Sequence, residues 1–330
     1  MELSPLLIFV LVLILWAEFV NGWTDAPNAI ATVVSTRVLS PKKAVLMASA
    51  LNLLGAFSGT AVATTIGRDI IRPEFVSLHT LTAAMAGIIF WSTLAWKYGL
   101  PTSESHALIS GLAGSALAAS GPSALIATGW YKVIIGLFFS TFLGFFGAYI
   151  IFTIIMIVFR KMSISKVRKF FGKAQILSAC FMAFSHGSND GQKFMGAFAL
   201  ALLISGVTKE FYIPVWVIVV CAALMGIGTS CGGWRIIRTM GGKLAKLEPQ
   251  HGFAAETAAA ISIEFASRLG IPLSTTHTIN TSIVGVSVAQ RSARVHWGVA
   301  RSIVIAWVLT FPVCALVSFI LTKILLYIVR

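Results

Sequence analysis

The feature that most constrains this chain is the length and number of its apolar runs. Residues 123–159 contain one charged residue, Lys132, and residues 299–329 are nearly as apolar. Further runs fall at 3–20, 44–66, 78–98, 104–120, 175–184, 194–206, 213–230, 253–269 and 276–289. A helix needs ~20 residues to cross the hydrocarbon core, and the two longest runs have enough to tilt or to include an interfacial turn. Hydrophobic residues make up 57% of the 330 and charged residues 11%. A soluble domain carries roughly 25% charged residues, so the bilayer must be the solvent for much of this chain. Helices satisfy their own backbone groups in lipid, which predicts an all-α polytopic membrane protein with about ten to twelve membrane-embedded segments, some discontinuous.

The net charge of +14 does not point to nucleic acid. The basic residues sit in short connections: Arg160, Lys161, Lys166, Arg168, Lys169 and Lys173, then Arg235, Arg238, Lys243 and Lys246, then Arg291 and Arg294. That is the positive-inside pattern, and it places segment 160–174 in the cytoplasm as a linker between a first repeat, 1–159, and a second, 175–330. The N-terminus, free of Lys and Arg, is expected outside. Residues 3–20 have no basic residue before them and no small-residue cleavage site after them, so they are expected to be the first membrane helix. No pair among Cys180, Cys221, Cys231 and Cys314 has metal-ligand spacing, which predicts free thiols and no dedicated metal site.

The chain repeats itself. At an offset of 171, AWKYGLPTSESHALISGLAGSALA (95–118) aligns with ASRLGIPLSTTHTINTSIVGVSVA (266–289), matching Gly99 to Gly270, Pro101 to Pro272, Ser103 to Ser274, His106 to His277 and Gly114 to Gly285. NGWTD (21–25) corresponds to HGSND (186–190), setting Asp25 against Asp190. Two duplicated motifs in the same order, each interrupting an apolar segment, point to a secondary transporter.

Each Pro-containing motif predicts a helix start inside the membrane. Proline keeps the preceding residue out of helix, and the Ser and Thr that follow favour the N-cap. Such an end presents unpaired N–H groups and a positive dipole to an anion. Two facing ends could cradle a tetrahedral oxyanion. Asp25 and Asp190, costly in lipid, call for a cation, a proton or water, and Thr24, Asn28 and Asn189 are neighbouring oxygen donors. Glu264 and Arg268 have the spacing of a helical ion pair. Glu256 has no evident partner and is a weaker coupling candidate. His106 and His277 each stand alone in their motifs and are expected to make structural hydrogen bonds. Gly228–Gly232 matches G-x-S-x-G around Ser230 but ends an apolar segment, without the strand–turn–helix context of a nucleophile. No phosphate-binding G-x-x-x-x-G-K-[ST] loop is present, which excludes direct drive by ATP.

NGWTDAPNAIATVVSTR (21–37), GLPTSESH (99–106), HGSNDGQK (186–193) and GIPLSTTH (270–277) together resemble the inorganic phosphate transporter (Pit) family, bacterial type, over essentially the whole chain. The resemblance implies an inverted-repeat secondary transporter with two helical hairpins in a bacterial inner membrane. Phosphate would lie between tips formed by Thr102, Ser103, Ser105, Ser274, Thr275 and Thr276. The coupling cation, H+ or Na+, would sit at Asp25, Asn28, Asn189 and Asp190, with no other cofactor. Two departures stand out: Thr24 replaces an Asn common in sodium-coupled members, and Lys193 stands at the position matching Asn28. An ammonium there resembles bacterial members that use protons, so Thr24, Lys193 and Glu256 are secondary candidates for coupling or charge compensation. Magnesium could enter with phosphate as a neutral complex, and a homo-oligomer is compatible with the family. Three other readings stay open: a sulfate permease on the same scaffold, a passive anion channel, and an intramembrane serine hydrolase at Ser230. Phosphate keeps a proton near neutral pH and needs an acceptor, whereas sulfate offers none, so a buried carboxylate favours phosphate.

Overall fold

A computed structural model describes residues 4–329. In chain order the helices are α1 (Pro5–Ser35), α2 (Pro41–Ala56), α3 (Ala61–Thr64), α4 (Leu78–Tyr98), α5 (Glu104–Ser120), α6 (Ala127–Phe159), α7 (Ile164–Asp190), α8 (Lys193–Ile204), α9 (Val215–Cys231), α10 (Trp234–Ile237), α11 (Pro249–Arg268), α12 (Thr275–Gln290) and α13 (Trp297–Val329). Among the described residues there is no strand beyond two isolated bridges, Ile71–Leu125 and Ala245–Val295.

The two halves repeat element by element. The Asp25 helix α1 corresponds to α7 with α8. In each half a bent pair follows, α2 with α3 at 66° and α9 with α10 at 57°. Each pair ends in a π-helical turn, Thr65–Asp69 in one and Arg238–Lys243 in the other. Then come α4 and α11, whose N-termini both close a reciprocal cap, Ser77 with Thr80 and Glu248 with His251. The motif helices α5 and α12 follow, then a short 3-10 turn, one of the two bridges, and a 33-residue helix, α6 or α13.

The halves are interlocked. α5 packs against α13 of the other half, and α12 against α6. Likewise α1 packs on α9 and α2 on α7. Close approach needs missing side chains at the crossings. A Cβ on Gly114 would overlap the Ala315 carbonyl of α13, and one on Gly285 would overlap the Phe145 carbonyl of α6. Such small-residue contacts are how membrane helices gain packing when lipid supplies no hydrophobic drive between them.

Four helices, α1, α4, α6 and α13, are long and apolar enough to cross a membrane alone, and the two bent pairs bring this to six among the described residues. The outer faces of α6 and α13 are exposed aromatic and aliphatic side chains, Phe138, Phe142, Phe146, Val308 and Leu316 among them. Helices α5 and α12 are buried almost throughout, so they need no lipid-grade hydropathy and carry the polar motifs. The basic stretch 160–174 is only partly a connection: Arg160–Ser163 form the turn, and α7 begins at Ile164. Lys166, Arg168, Lys169 and Lys173 therefore lie on helix, because helix propensity is little affected by exposed Lys and Arg.

Candidate site between the helix tips

Both motif helices start as the sequence predicts. Helix α4 ends at Gly99 (φ 68°) and α11 passes into Gly270 (φ 66°), left-handed positions that cost glycine nothing. Pro101 and Pro272 lead the chain inward. Ser103 then caps α5, its hydroxyl accepting from the His106 N–H at 3.3 Å, and Ser274 caps α12, accepting from the His277 N–H at 3.2 Å. Each approach is latched from the other half. The Thr239 hydroxyl donates to the Gly99 carbonyl at 2.8 Å, and the Thr65 hydroxyl to the Gly270 carbonyl at 2.7 Å. Both latching threonines lie in the π-helical turns.

The two tips meet inside the protein. Ser105 donates to the Leu273 carbonyl at 2.9 Å. Thr102, Ser103, Ser105, Ser274, Thr275 and Thr276 are all buried. Just behind the tips the rings of His106 and His277, which the internal repeat pairs, touch edge to face at 4.6 Å. The expectation of structural hydrogen bonds through these rings fails. Neither ring nitrogen of His277 has a partner, nor does Nδ1 of His106. Their role is packing, against Trp307 and Phe311 of α13.

The acidic motifs come up beneath the tips. Asn28 Nδ2 donates to Thr275 Oγ1 at 3.2 Å and to Thr276 Oγ1 at 2.9 Å. Thr275 donates to Asp190 Oδ2 at 3.0 Å, and Thr276 to Asp25 Oδ1 at 3.4 Å. Lys193 places its ammonium 2.6 Å from Asp190 Oδ1, and His186 Nε2 lies 3.4 Å from Oδ2 of the same carboxylate. Asp25, His186 and Asp190 converge, with ligand atoms within 4.8 Å of one another. Asp25 Oδ2 is buried without a partner.

Several residues of this cluster escaped the sequence reading. Glu104, the first residue of α5, accepts from Thr24 at 3.0 Å and Ser92 at 2.7 Å. Glu18 accepts from Asn21 at 3.2 Å, and Asn21 also reaches the Asp190 carbonyl at 3.5 Å. Their signal was helical spacing: Glu18 lies seven residues before Asp25, and His186 lies four before Asp190. Glu104 was visible as the residue aligned with Thr275. Two predicted residues stand apart. Asn189 turns to Ser267 Oγ at 2.9 Å. Glu256 lies in its own polar pocket, accepting from Thr32 at 2.6 Å, Gln175 at 2.9 Å and Ser178 at 2.5 Å. Glu264 pairs with Arg268 at 2.9 Å as expected. Ser230 is exposed at the end of α9, its hydroxyl donating to the Ile227 carbonyl at 2.5 Å, which is a helix-end bond and no nucleophile's arrangement.

A duplicated helical membrane fold with polar helix starts meeting over buried acids defines a multi-pass transporter. The Phosphate transporter family matches residues 21–167 and 159–318. The "Probable low-affinity inorganic phosphate transporter" of Rhizobium meliloti (strain 1021) is 44% identical over 316 residues, covering 95% of both chains. The protein of the same description from Bacillus subtilis (strain 168) is 40% identical over 313 residues, covering 94% of both. The solved structure of "The sodium-dependent phosphate transporter" superposes with a TM-score of 0.88 at 25% identity, covering 98% of this chain and 100% of that one. This chain belongs to the Phosphate transporter family. It is a multi-pass plasma-membrane phosphate transporter and not an enzyme, so the serine-hydrolase reading of Ser230 is set aside.

Proposed function

We propose that the chain imports inorganic phosphate by symport with protons, holding the anion between the tips of α5 and α12. One observation carries this reading. Four buried carboxylates, Glu18, Asp25, Glu104 and Asp190, and one buried ammonium, Lys193, lie beneath the place where the N-termini of α5 and α12 meet, and the ammonium is held on Asp190. Buried charges persist when paired, and a phosphate anion entering this excess of acid needs cations to enter with it. Obligatory pairing of anion and cation is symport.

Thr102, Ser103, Ser105, Ser274, Thr275 and Thr276 supply hydroxyls, and the helix ends supply N–H groups, in place of water around the anion. Asp25, with one oxygen unpartnered, is the natural point of cation entry. Asp190 is already matched by Lys193, which supports protons over sodium. Asn28 ties the α12 tip to both acids and so lets the tip sense their state. The halves then rock as an inverted repeat, exposing the site to each side in turn. Asn189 and Glu256, away from the tips, support the helices that carry Asp190 and Thr32.

Sodium drive is the second reading, favoured by the likeness to the sodium-dependent phosphate transporter. Purified protein in vesicles, given labelled phosphate with sodium and proton gradients imposed separately, decides between them. Uptake driven by an inward proton gradient without sodium is expected. Uptake that follows sodium and ignores pH overturns proton coupling, and uptake that never exceeds equilibrium overturns symport in favour of a passive channel. Unlabelled sulfate in excess is expected to leave phosphate uptake unchanged.

A further inference from the structure

The internal repeat is closest to exact around the tips, which makes the charged departures there, Lys193 and Glu104, informative; a third, Glu18, stands against Ala183 further along the acidic-motif helix. The offset of 165 that pairs Asp25 with Asp190 also pairs Asn28 with Lys193. The offset of 171 that pairs the tips also pairs Glu104 with Thr275 and Ser105 with Thr276. At one of the two related contacts between the copies both residues are neutral and bonded to each other: Asn28 Nδ2, from the first half, donates to Thr275 Oγ1, from the second, at 3.2 Å. At the sister contact the same two positions, now Lys193 of the second half and Glu104 of the first, hold a cation and an anion.

Both charged side chains are fully buried, at 0% and 1% exposure, where a single unpaired charge would be severely destabilising. The two positions touch at the sister contact, so a cation at one and an anion at the other is a compensated exchange. The charges are not bonded to each other in this state. Lys193 sits on Asp190 Oδ1 at 2.6 Å, while Glu104 is held by Thr24 and Ser92. The sister contact is made and this one is open, so the two tips are unequally engaged: the α12 tip is bonded to α1 and α7, and the α5 tip holds its acid back.

We propose that Lys193 and Glu104 act as a resident charge pair that replaces one exchangeable coupling cation, and that they thereby set how many cations accompany each phosphate. The neutral Asn28–Thr275 contact leaves its acid to be matched by a cation that comes and goes. At the charged contact the matching cation is covalently part of the chain and sits on Asp190, and Glu104 keeps the net charge of the two exchanged positions at zero. This rests on the symport reading above and adds Glu104 and the pairing to it.

A mutant cycle tests it. Lys193→Asn, Glu104→Thr and the double variant, which restores the sister contact's residues, are purified, and thermal unfolding in detergent and phosphate uptake in vesicles are measured for each. Each single variant is expected to lower the unfolding temperature and to cut uptake at least tenfold. The double variant is expected to recover the unfolding temperature, and to recover uptake only when an additional cation is supplied, read as a higher cation-to-phosphate ratio. Lys193→Arg, which keeps the charge, is expected to keep the wild-type ratio. Single effects that simply multiply in the double variant overturn the pairing, and a double variant with the wild-type ratio overturns the stoichiometric role. Should the wild type fail to take up phosphate at all, the transport reading fails, while the unfolding temperatures still decide whether the two residues are paired.

Discussion

At the scale of single residues, the chemistry concentrates in side chains that lipid would reject and the protein keeps. Asp190 illustrates the point. It accepts from Thr275 and faces both Lys193 and His186, so its charge is matched from three directions. Asp190→Asn leaves Lys193 without its carboxylate, and loss of one partner of a buried pair costs about 3–5 kcal/mol. A clearly lowered unfolding temperature in detergent is therefore expected for that variant. Asp25 has one oxygen unpartnered and no ion pair, so Asp25→Asn is expected to fold as the wild type does while losing uptake. Hydrogen bonds to charged groups are worth about 1.5–3 kcal/mol, which translates into a loss of about ten- to a hundredfold if the carboxylate acts only by bonding, and more if it carries the coupling cation. Phosphate transport at the wild-type rate in both variants would remove these acids from the mechanism.

At the scale of elements, what matters is how helix starts are held in a fixed place. The tips are short of internal bonds because they are meant to present donors, so they are fixed by their neighbours. The latches from Thr65 to the Gly270 carbonyl and from Thr239 to the Gly99 carbonyl are the clearest instances. Thr65→Val or Thr239→Val orphans a buried carbonyl and is expected to lower stability by about 1–3 kcal/mol, read as a fall in unfolding temperature. Pairing both substitutions is expected to give additive losses, since the latches serve opposite tips. The glycine crossings behave differently. Gly114→Val and Gly285→Val force α5 away from α13 or α12 away from α6, at about 1–3 kcal/mol or more of overpacking. Such variants are expected to lose uptake even where they still fold, because the tips are carried on those helices. Full uptake by a well-folded Gly285→Val protein would show that tip position tolerates such a shift.

At the scale of the whole molecule, the interlocking of the halves governs folding and motion alike. Neither half completes its own packing: α5 of the first needs α13 of the second, and α12 of the second needs α6 of the first. Expressed separately, residues 1–161 and 162–330 are each expected to fail to accumulate as a monodisperse species on size-exclusion chromatography. Expressed together, they are expected to assemble and to recover phosphate uptake. Independent folding of either half would contradict the interlocked packing. The exchanged packing also suits the rocking proposed above, in which each tip would move with a helix anchored in the opposite half.

Much of this protein was legible before any coordinates. Apolar length fixed the environment, because no other solvent accepts runs such as 123–159. The repeated Pro–Ser/Thr motifs fixed the helix starts, because proline and an N-cap hydroxyl act on the nearest few residues. These are local effects, and a sequence states local effects directly. Glu104 and His186 were harder, since a lone acid or histidine in a motif has no visible partner. Only the tertiary structure supplied Thr24 and Ser92 to Glu104 and set Asn52 Oδ1 3.1 Å from His186 Nδ1, 134 residues away, whereas Glu18 has its partner, Asn21, three residues on in the same helix. It also sent Asn189 to Ser267, although its sequence context looked as functional as Asp25's, and gave Glu256, the weaker candidate, a pocket of its own. Which buried polar groups share a site depends on which helices cross. Crossings are decided by packing among many side chains at once, and that information is spread over the entire chain.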